Sequence, residues 1–319
     1  LNAIGRFQLC YRFSGFNAFV PVDVVVRVVM ESLRYEPAFV VSGASNTLVA
    51  VIPAFNPEDT VTMNGVQGVS SVRDGQMVVS FSTMDLEEDT VTMVYKHAYA
   101  GQITMTLPVY RVALSEEGTY YNLATEVEVT GAGVEKVSTI GFAVSECTSE
   151  VEMFEVREGA MTVSVSAENL DYHLCVMYEN VPAFYFVTSV TFKVVAVKTL
   201  SIPQWPLPTT IHKDEVEALM LSGLGLSAED KVVLTTGTCA EGLELTELRY
   251  EAAGVERVTV SSALVFPAVE SAEEYRVCYY FKLLDATFAT EHVMTIYPAK
   301  FPASVTPENP VVMGEGTAA

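Results

Sequence analysis

Hydrophobic and polar residues alternate with period two in short runs along most of the chain, and these runs are rich in Val and Thr. The alternation is typical of half-buried β-strands, because successive side chains of a strand point to opposite faces. Four runs share one pattern, and each is followed by a turn and a second Val/Thr-rich run. They lie at 7–11, 90–94, 172–176 and 275–279. The pattern predicts an all-β chain with a repeated pair of strands.

The repeat has a period of about 80 to 100 residues. Its markers are the fourth residues of the four runs, which are Cys10, Met93, Cys175 and Cys278. A second match lies upstream in the same order, where 72–80 parallels 156–164 around an Asp-Gly or Glu-Gly turn. Units of this length, built from many short strands, predict antiparallel β-sandwiches.

The alternation also assigns a core face to the repeated strand. The residues of that face are Tyr172, Leu174, Val176 and Tyr178 in one repeat, and Tyr275, Val277, Tyr279 and Phe281 in the next. Cys175 and Cys278 then point to the opposite face. A disulfide from either cysteine is therefore expected to attach a strand or a loop to the outer face of the sheet.

The repeated strand resembles strand F of immunoglobulin-like domains, in which a Tyr near the start of the strand anchors a corner and an acidic residue often precedes it. Asp171-Tyr172 and Glu274-Tyr275 match that pattern. In antibody-type domains the cysteine of strand F points into the core, so the outward position predicted here departs from that family.

A second resemblance concerns the opening of the repeat. Residues 221–232, which contain Gly-Leu-Gly-Leu followed by Asp-Lys-Val, resemble the opening of IPT/TIG-type immunoglobulin-like domains, and 41–43 with 57–61 form a looser copy. The resemblance implies a tandem array of immunoglobulin-like antiparallel β-sandwich domains. The predicted bounds are 33–115, 116–200 and 201–298 for complete domains, 1–32 for the last two strands of a partial domain, and 299–319 for a C-terminal strand segment.

The chain has five cysteines. One pair in each of two units predicts the disulfides Cys147–Cys175 and Cys239–Cys278, with Cys10 left over. Such pairs favour an oxidising, extracellular or cell-surface setting. The alternative is that they are buried free thiols of an intracellular protein.

The net charge of -22 makes nucleic acid and anionic membrane poor partners. No apolar run reaches the roughly 18 to 20 residues that span a bilayer. The four histidines have no metal-ligand spacing, and no nucleophile elbow, phosphate loop or dinucleotide motif occurs. We therefore predict no enzyme activity, no catalytic residues, no metal and no cofactor.

The two ends of the sequence suggest an assembly. Residues 1–32 contain only a strand pair, and two strands alone are marginal in water. Its apolar face and the C-terminal segment 302–319 are expected to meet between subunits by strand addition. The predicted interface residues are Phe7, Leu9, Tyr11 and Phe13 of the hairpin, and Val305, Val311, Val312 and Met313 of the C-terminal segment.

The leading functional prediction is a structural subunit of an extracellular fibre or surface assembly, joined head-to-tail with copies of itself. An equal alternative for the ends is a fragment of a longer tandem array, completed within the same chain. The alternative function is an adhesin or receptor ectodomain segment that binds a glycan or a cell-surface protein. A hydrolase with an unrecognised site is a third and more distant one.

Overall fold

The computed structural model describes residues 5–15, 17–28, 33–52, 55–98, 101–166, 169–201, 210–212, 219–245, 248–252, 256–260 and 269–297. The ordered elements among them are β-strands and two short 3₁₀ helices. No helix within these ranges is long and apolar enough to cross a membrane.

An N-terminal hairpin comes first, formed by β1 (Gly5–Tyr11) and β2 (Val20–Val28). The two strands pair antiparallel as a two-stranded sheet, and within the described residues neither pairs with a third strand.

Sandwich 1 follows and is built from two sheets. Its strands are β3 (Arg34–Glu36), β4 (Val40–Val41), β5 (Ala44–Val51), β6 (Thr60–Met63), β7 (Val66–Gln67), β8 (Val69–Arg73), β9 (Gln76–Met84), β10 (Thr90–His97) and β11 (Gly101–Tyr110). The sheets have the orders β3-β5-β9-β8 and β4-β11-β10-β6-β7.

Sandwich 2 repeats this division. Its elements are β12 (Ala113–Leu114), β13 (Gly118–Tyr120), β14 (Thr125–Thr130), a 3₁₀ helix (Val134–Lys136), β15 (Val137–Ala143), β16 (Met153–Glu155), β17 (Ala160–Val163), β18 (Asp171–Tyr178) and β19 (Phe184–Ser201). One sheet is β12-β14-β17. The other contains β16-β15-β18-β19, and β13 pairs with β19.

Sandwich 3 begins inside β19, because the last residues of that long strand pair with β21. Its own elements are β20 (Thr210–His212), β21 (Leu219–Leu224), β22 (Lys231–Thr235), a 3₁₀ helix (Cys239–Glu241), β23 (Leu243–Leu245), β24 (Leu248–Ala252), β25 (Glu256–Val260), β26 (Glu273–Phe281) and β27 (Ala286–Tyr297). The sheets run β20-β27-β26-β22-β23 and, from β19, β21-β25-β24.

This arrangement of two facing antiparallel sheets is the immunoglobulin-like sandwich. The chain is therefore all-β and consists of tandem immunoglobulin-like antiparallel sandwiches, as the repeat and the alternation predicted. By contact density it divides into two compact units, one of 1–117, 124–163 and 171–192, the other of 118–123, 164–170 and 193–319. Sandwich 2 contributes strands to both units.

The cores follow the alternation predicted for the repeated strand. In sandwich 3, Tyr275, Val277, Tyr279 and Phe281 of β26 pack with Val232 and Leu234 of β22. In sandwich 1, Val91, Met93 and Tyr95 of β10 pack with Val61 and Met63 of β6.

Met93 shows that the predicted alignment of the first repeat was wrong by one residue. Its side chain is fully buried in the core of sandwich 1, whereas Cys278, the supposed counterpart, lies on the opposite face of its sheet. A shift of one residue along a strand moves every side chain to the other face. The counterpart of Cys278 is therefore Val94, and the counterpart of Tyr279 is Tyr95.

Candidate functional site

The N-terminal hairpin has the geometry of the last two strands of sandwich 3. Both hairpins contain a bulge at the same place, between Gln8 and Cys10 in one and between Arg276 and Cys278 in the other. The register on both sides of the bulge matches: Gln8 lies opposite Val25 and Cys10 opposite Pro21, as Arg276 lies opposite Val293 and Cys278 opposite Ala289. The hairpin is therefore the structural counterpart of β26–β27.

The predicted apolar face of this hairpin is open to solvent. The side chains of Leu9, Tyr11 and Phe13 are 47%, 55% and 54% exposed, and Phe7 is half-buried. Their counterparts on β26 are at most 9% exposed because the rest of sandwich 3 covers them; these are Tyr275, Val277, Tyr279 and Phe281. The predicted donor residues Val305, Val311, Val312 and Met313 lie outside the described residues, so their meeting with the hairpin stays a prediction.

Two disulfides join the cysteine pairs expected from the sequence, Cys147–Cys175 and Cys239–Cys278. Cys175 and Cys278 are fully buried although they face away from the cores. The segments that carry their partners account for this burial. Gly141 lies opposite Cys175 on the neighbouring strand. The segment that follows Cys147 passes so close to this glycine that an added Cβ would lie 2.7 Å from the Val151 side chain and 2.5 Å from the Met153 side chain.

In sandwich 3 the segment with the 3₁₀ helix and Cys239 covers the outer face beside Cys278 in the same way. Val233 lies opposite Cys278, and a Cβ added at Gly242 would lie 2.3 Å from the Val233 side chain. Each disulfide thus attaches a connecting segment to the outer face of its sheet. Cys10, at the counterpart position of the hairpin, is exposed and carries a free thiol.

A buried carboxylate ties strand β10 to the loop before β6 in sandwich 1. Asp59 accepts hydrogen bonds from the backbone N–H of Asn56 at 2.7 Å and of Ala98 at 2.8 Å, and from the Tyr95 hydroxyl. Its side chain is fully shielded from solvent. Because the three donors come from two separate segments, the carboxylate fixes the end of β10 against that loop.

Sandwich 3 contains the same device around Asp230. Its carboxylate accepts from the N–H of Ser227 at 2.6 Å, from the N–H of Lys282 at 2.8 Å and from the Tyr279 hydroxyl at 2.8 Å. Burial, only partly offset by these donors, raises the pKa of Asp230 above its usual value. In the sequence this site is visible only as the Asp-x-Val pattern of the resemblance, because its Tyr partner lies about 50 residues away along the chain.

Aromatic side chains form a contact between sandwiches 1 and 2 within the first compact unit. Tyr178 packs against Phe39 and Tyr110 of sandwich 1, with ring centroids 5.0 and 5.4 Å apart. Tyr185 packs on Tyr178 at 5.6 Å, and burial raises the pKa of Tyr185 to about 12.

The second compact unit repeats this contact between the β13 segment and sandwich 3. Tyr120 stacks on Phe288 at 5.6 Å and lies 6.1 Å from Phe281. Phe281 follows Cys278 by three residues, as Tyr178 follows Cys175. Equivalent positions of successive sandwiches therefore make equivalent junctions.

Three of the four histidines have described side chains. His97 lies 4.0 Å from Asp59 and is 7% exposed. His173 and His292 are half-buried, and a ring nitrogen of each lies within 3.3 Å of a backbone carbonyl. No three His, Cys, Asp or Glu side chains of the described ranges come together as metal ligands.

No family model matches the chain, and no curated protein matches it. Among solved structures, the plexin A4 extracellular region is 13% identical with a TM-score of 0.31, covering 90% of this chain and 26% of that one. The eight N-terminal Ig domains of DSCAM are 12% identical with a TM-score of 0.23, and the match covers 93% of this chain and 46% of that one. The titin fragment I67–I69 is 10% identical with a TM-score of 0.20, and the match covers 85% of this chain and 97% of that one. At such TM-scores the likenesses carry no conclusion about function.

Proposed function

We propose that the chain is a structural subunit of an extracellular fibre or surface assembly, in which subunits join head-to-tail through the hairpin β1–β2. The observation that carries this proposal is the open apolar face of the hairpin, whose counterpart in sandwich 3 is core. Burying one side chain of the size of Leu or Phe contributes about 1.5–3 kcal/mol. Covering the exposed parts of Leu9, Tyr11 and Phe13 therefore contributes favourably to the binding of an occupant.

The proposed occupant is the C-terminal segment 302–319 of another copy, with Val305, Val311, Val312 and Met313 as its apolar residues. A strand added to an open sheet forms backbone hydrogen bonds and places alternate side chains on the apolar face. Such a contact joins two different surfaces and does not close on itself, so it generates a filament.

The extracellular setting rests on the two disulfides, since disulfides persist in oxidising compartments and are rare in reducing ones. The same bonds suit a structural role. They attach outer segments of sandwiches 2 and 3 covalently, and so they limit local opening of the two domains.

The test is the concentration dependence of size, measured by light scattering and by electron microscopy on the 319-residue chain. We expect polymers that disappear when 302–319 is deleted and when Leu9→Asp places a charge on the apolar face. Val25→Asp is the matched control, because Val25 lies opposite Gln8 on the other face of the hairpin and is 61% exposed.

A chain that stays monomeric at high concentration, or one that polymerises equally with Leu9→Asp and without 302–319, would rule out this assembly. Binding to a glycan array or to a cell-surface protein by a strictly monomeric chain would instead support the adhesin or receptor role.

A further inference from the structure

The last strand of every sandwich is flanked by a short parallel strand. β4 pairs with β11, β13 with β19 and β20 with β27. In these pairs Val40 lies opposite Val109, and Ile211 opposite Ile296. β2 is the counterpart of β27, but within the described residues it pairs only with β1. Among the described residues, the corresponding edge of β2 therefore has no parallel partner strand.

The bulge fixes the register of that edge. Pro21 is the counterpart of Ala289, since each lies opposite the marker cysteine of its hairpin. Seven residues further along, Val28 is the counterpart of Ile296. A strand bound at this edge in the manner of sandwiches 1 and 3 is centred beside Val28.

The C-terminal segment has the sequence of such a strand. Residues 311–314, Val-Val-Met-Gly, match 40–43, Val-Val-Ser-Gly, at three of the four positions. In sandwich 1 the glycine that ends the match, Gly43, has a φ of +73° and donates its N–H to the Met84 carbonyl at 2.8 Å. A glycine is favoured in this left-handed conformation, and Gly314 supplies one.

Phe13 occupies the position of the junction aromatics. It follows Cys10 by three residues, as Tyr178 follows Cys175 and Phe281 follows Cys278. Tyr178 and Phe281 are at most 1% exposed, whereas Phe13 is 54% exposed. Tyr178 contacts Tyr110, the last residue of β11, and the last residue of β27 is also a tyrosine, Tyr297.

We propose that the hairpin of one copy binds the C-terminal end of sandwich 3 of a second copy as a further junction of the array. Val311 and Val312 of the second copy lie parallel to the end of β2, with Val311 opposite Val28, and Phe13 packs at the end of β27. This proposal rests on the head-to-tail function above and gives its register.

The hairpin is assigned to a second copy because the head-to-tail function proposed above joins different molecules. In sequence, residues 302–319 follow sandwich 3, whereas the hairpin precedes sandwich 1.

Engineered disulfides test the register directly. In a Cys10→Ser background, Val28→Cys and Val311→Cys are introduced on separate molecules, which are mixed and oxidised. A bridge requires Cα atoms about 4.4–6.8 Å apart. We expect a covalent dimer from this mixture, and a ladder of oligomers when both cysteines are on one chain.

The matched control replaces Val28→Cys by Val24→Cys. Four residues along the strand displace the thiol by about 13 Å, so we expect at least tenfold less dimer. Polymers that form without the 28–311 bond would overturn the register and leave the assembly intact. A chain that does not polymerise at all overturns both, and a 28–311 bond within one molecule overturns the second copy as partner.

Phe13→Ala probes the aromatic part of the junction. We expect it to weaken association at least about tenfold, as the loss of a buried aromatic anchor does. Phe19→Ala is the control, because Phe19 is 65% exposed and does not occupy the junction position. Equal effects of the two substitutions would contradict the junction.

Discussion

Sandwich 1 and sandwich 2 have the same fold but fix the same strand by different means. In sandwich 1, Asp59 holds the end of β10 from the inside through three hydrogen bonds. In sandwich 2, the Cys147–Cys175 disulfide holds the counterpart strand β18 from the outer face. At the position of the Asp59-bonded tyrosine, β18 has Val176.

Sandwich 3 combines both devices, since Asp230 binds Tyr279 and Cys278 binds Cys239. The two attachments are therefore compatible, and each is dispensable in one neighbour. The alternating core residues specify the sandwich, and the attachments add stability that depends on ionisation in one case and on redox state in the other. The predictions below use this difference, from the largest effect to the smallest.

Asp59→Ala should cause the largest loss, because it leaves the N–H groups of Asn56 and Ala98 and the Tyr95 hydroxyl without their acceptor. An unsatisfied buried donor costs about 1–3 kcal/mol. We expect sandwich 1 to lose roughly 4 kcal/mol, near the upper end for a single substitution. Hydrogen exchange of β10 peptides in the full chain measures this. Unchanged protection would show that the carboxylate is not a stabilising group.

Removal of the disulfide by Cys147→Ala with Cys175→Ala should destabilise sandwich 2 by about 3 kcal/mol, since the bond closes a loop between residues 28 apart in sequence. Exchange should increase in β18 peptides and stay unchanged in β10, which has no disulfide. A reducing agent should reproduce the effect in sandwiches 2 and 3 only. Equal sensitivity of sandwich 1 to reduction would contradict the assignment of the two attachments.

Tyr95→Phe tests one bond of the Asp59 network without removing the carboxylate. A hydrogen bond to a charged acceptor contributes about 1.5–3 kcal/mol, so we expect a loss near 2 kcal/mol in sandwich 1. Tyr279→Phe is the parallel change in sandwich 3, where the disulfide remains. Combined with Asp59→Ala, Tyr95→Phe should recover part of the loss, because it removes a hydroxyl that no longer has an acceptor. Full additivity would show that the hydroxyl stabilises the fold through another contact.

Much of the fold could be predicted from the sequence because strand alternation is a local signal. The core face of β26, from Tyr275 to Phe281, and the outward direction of Cys278 follow from period two alone. The alignment of Met93 failed because no cysteine marks β10, and the true anchor, the Asp59–Tyr95 bond, joins residues 36 apart. Hydrogen bonds of that kind depend on the packing of distant segments.

The hairpin face was also predictable, since the alternation of Phe7, Leu9, Tyr11 and Phe13 places them together. The junction position of Phe13 was not, because its meaning depends on Tyr178 and Phe281 packing against a neighbouring sandwich. A sequence repeat identifies equivalent residues, but only the structure tells which of them contact the next domain.

The smallest expected effect is a pH dependence of sandwich 3. Burial raises the pKa of Asp230 in the folded state above its unfolded value, so the folded state binds more protons in the window just above the usual carboxyl pKa. The contribution of this group to stability is therefore highest below that window and falls as the pH rises through it. Asp230→Asn removes the titration while it keeps one acceptor oxygen. The difference in unfolding free energy between the native chain and this variant, taken from exchange of β26 peptides, should decrease from acidic to neutral pH. An increase over the same range would mean that the donors from Ser227, Tyr279 and Lys282 outweigh burial, and that the carboxylate is stabilised in its charged form.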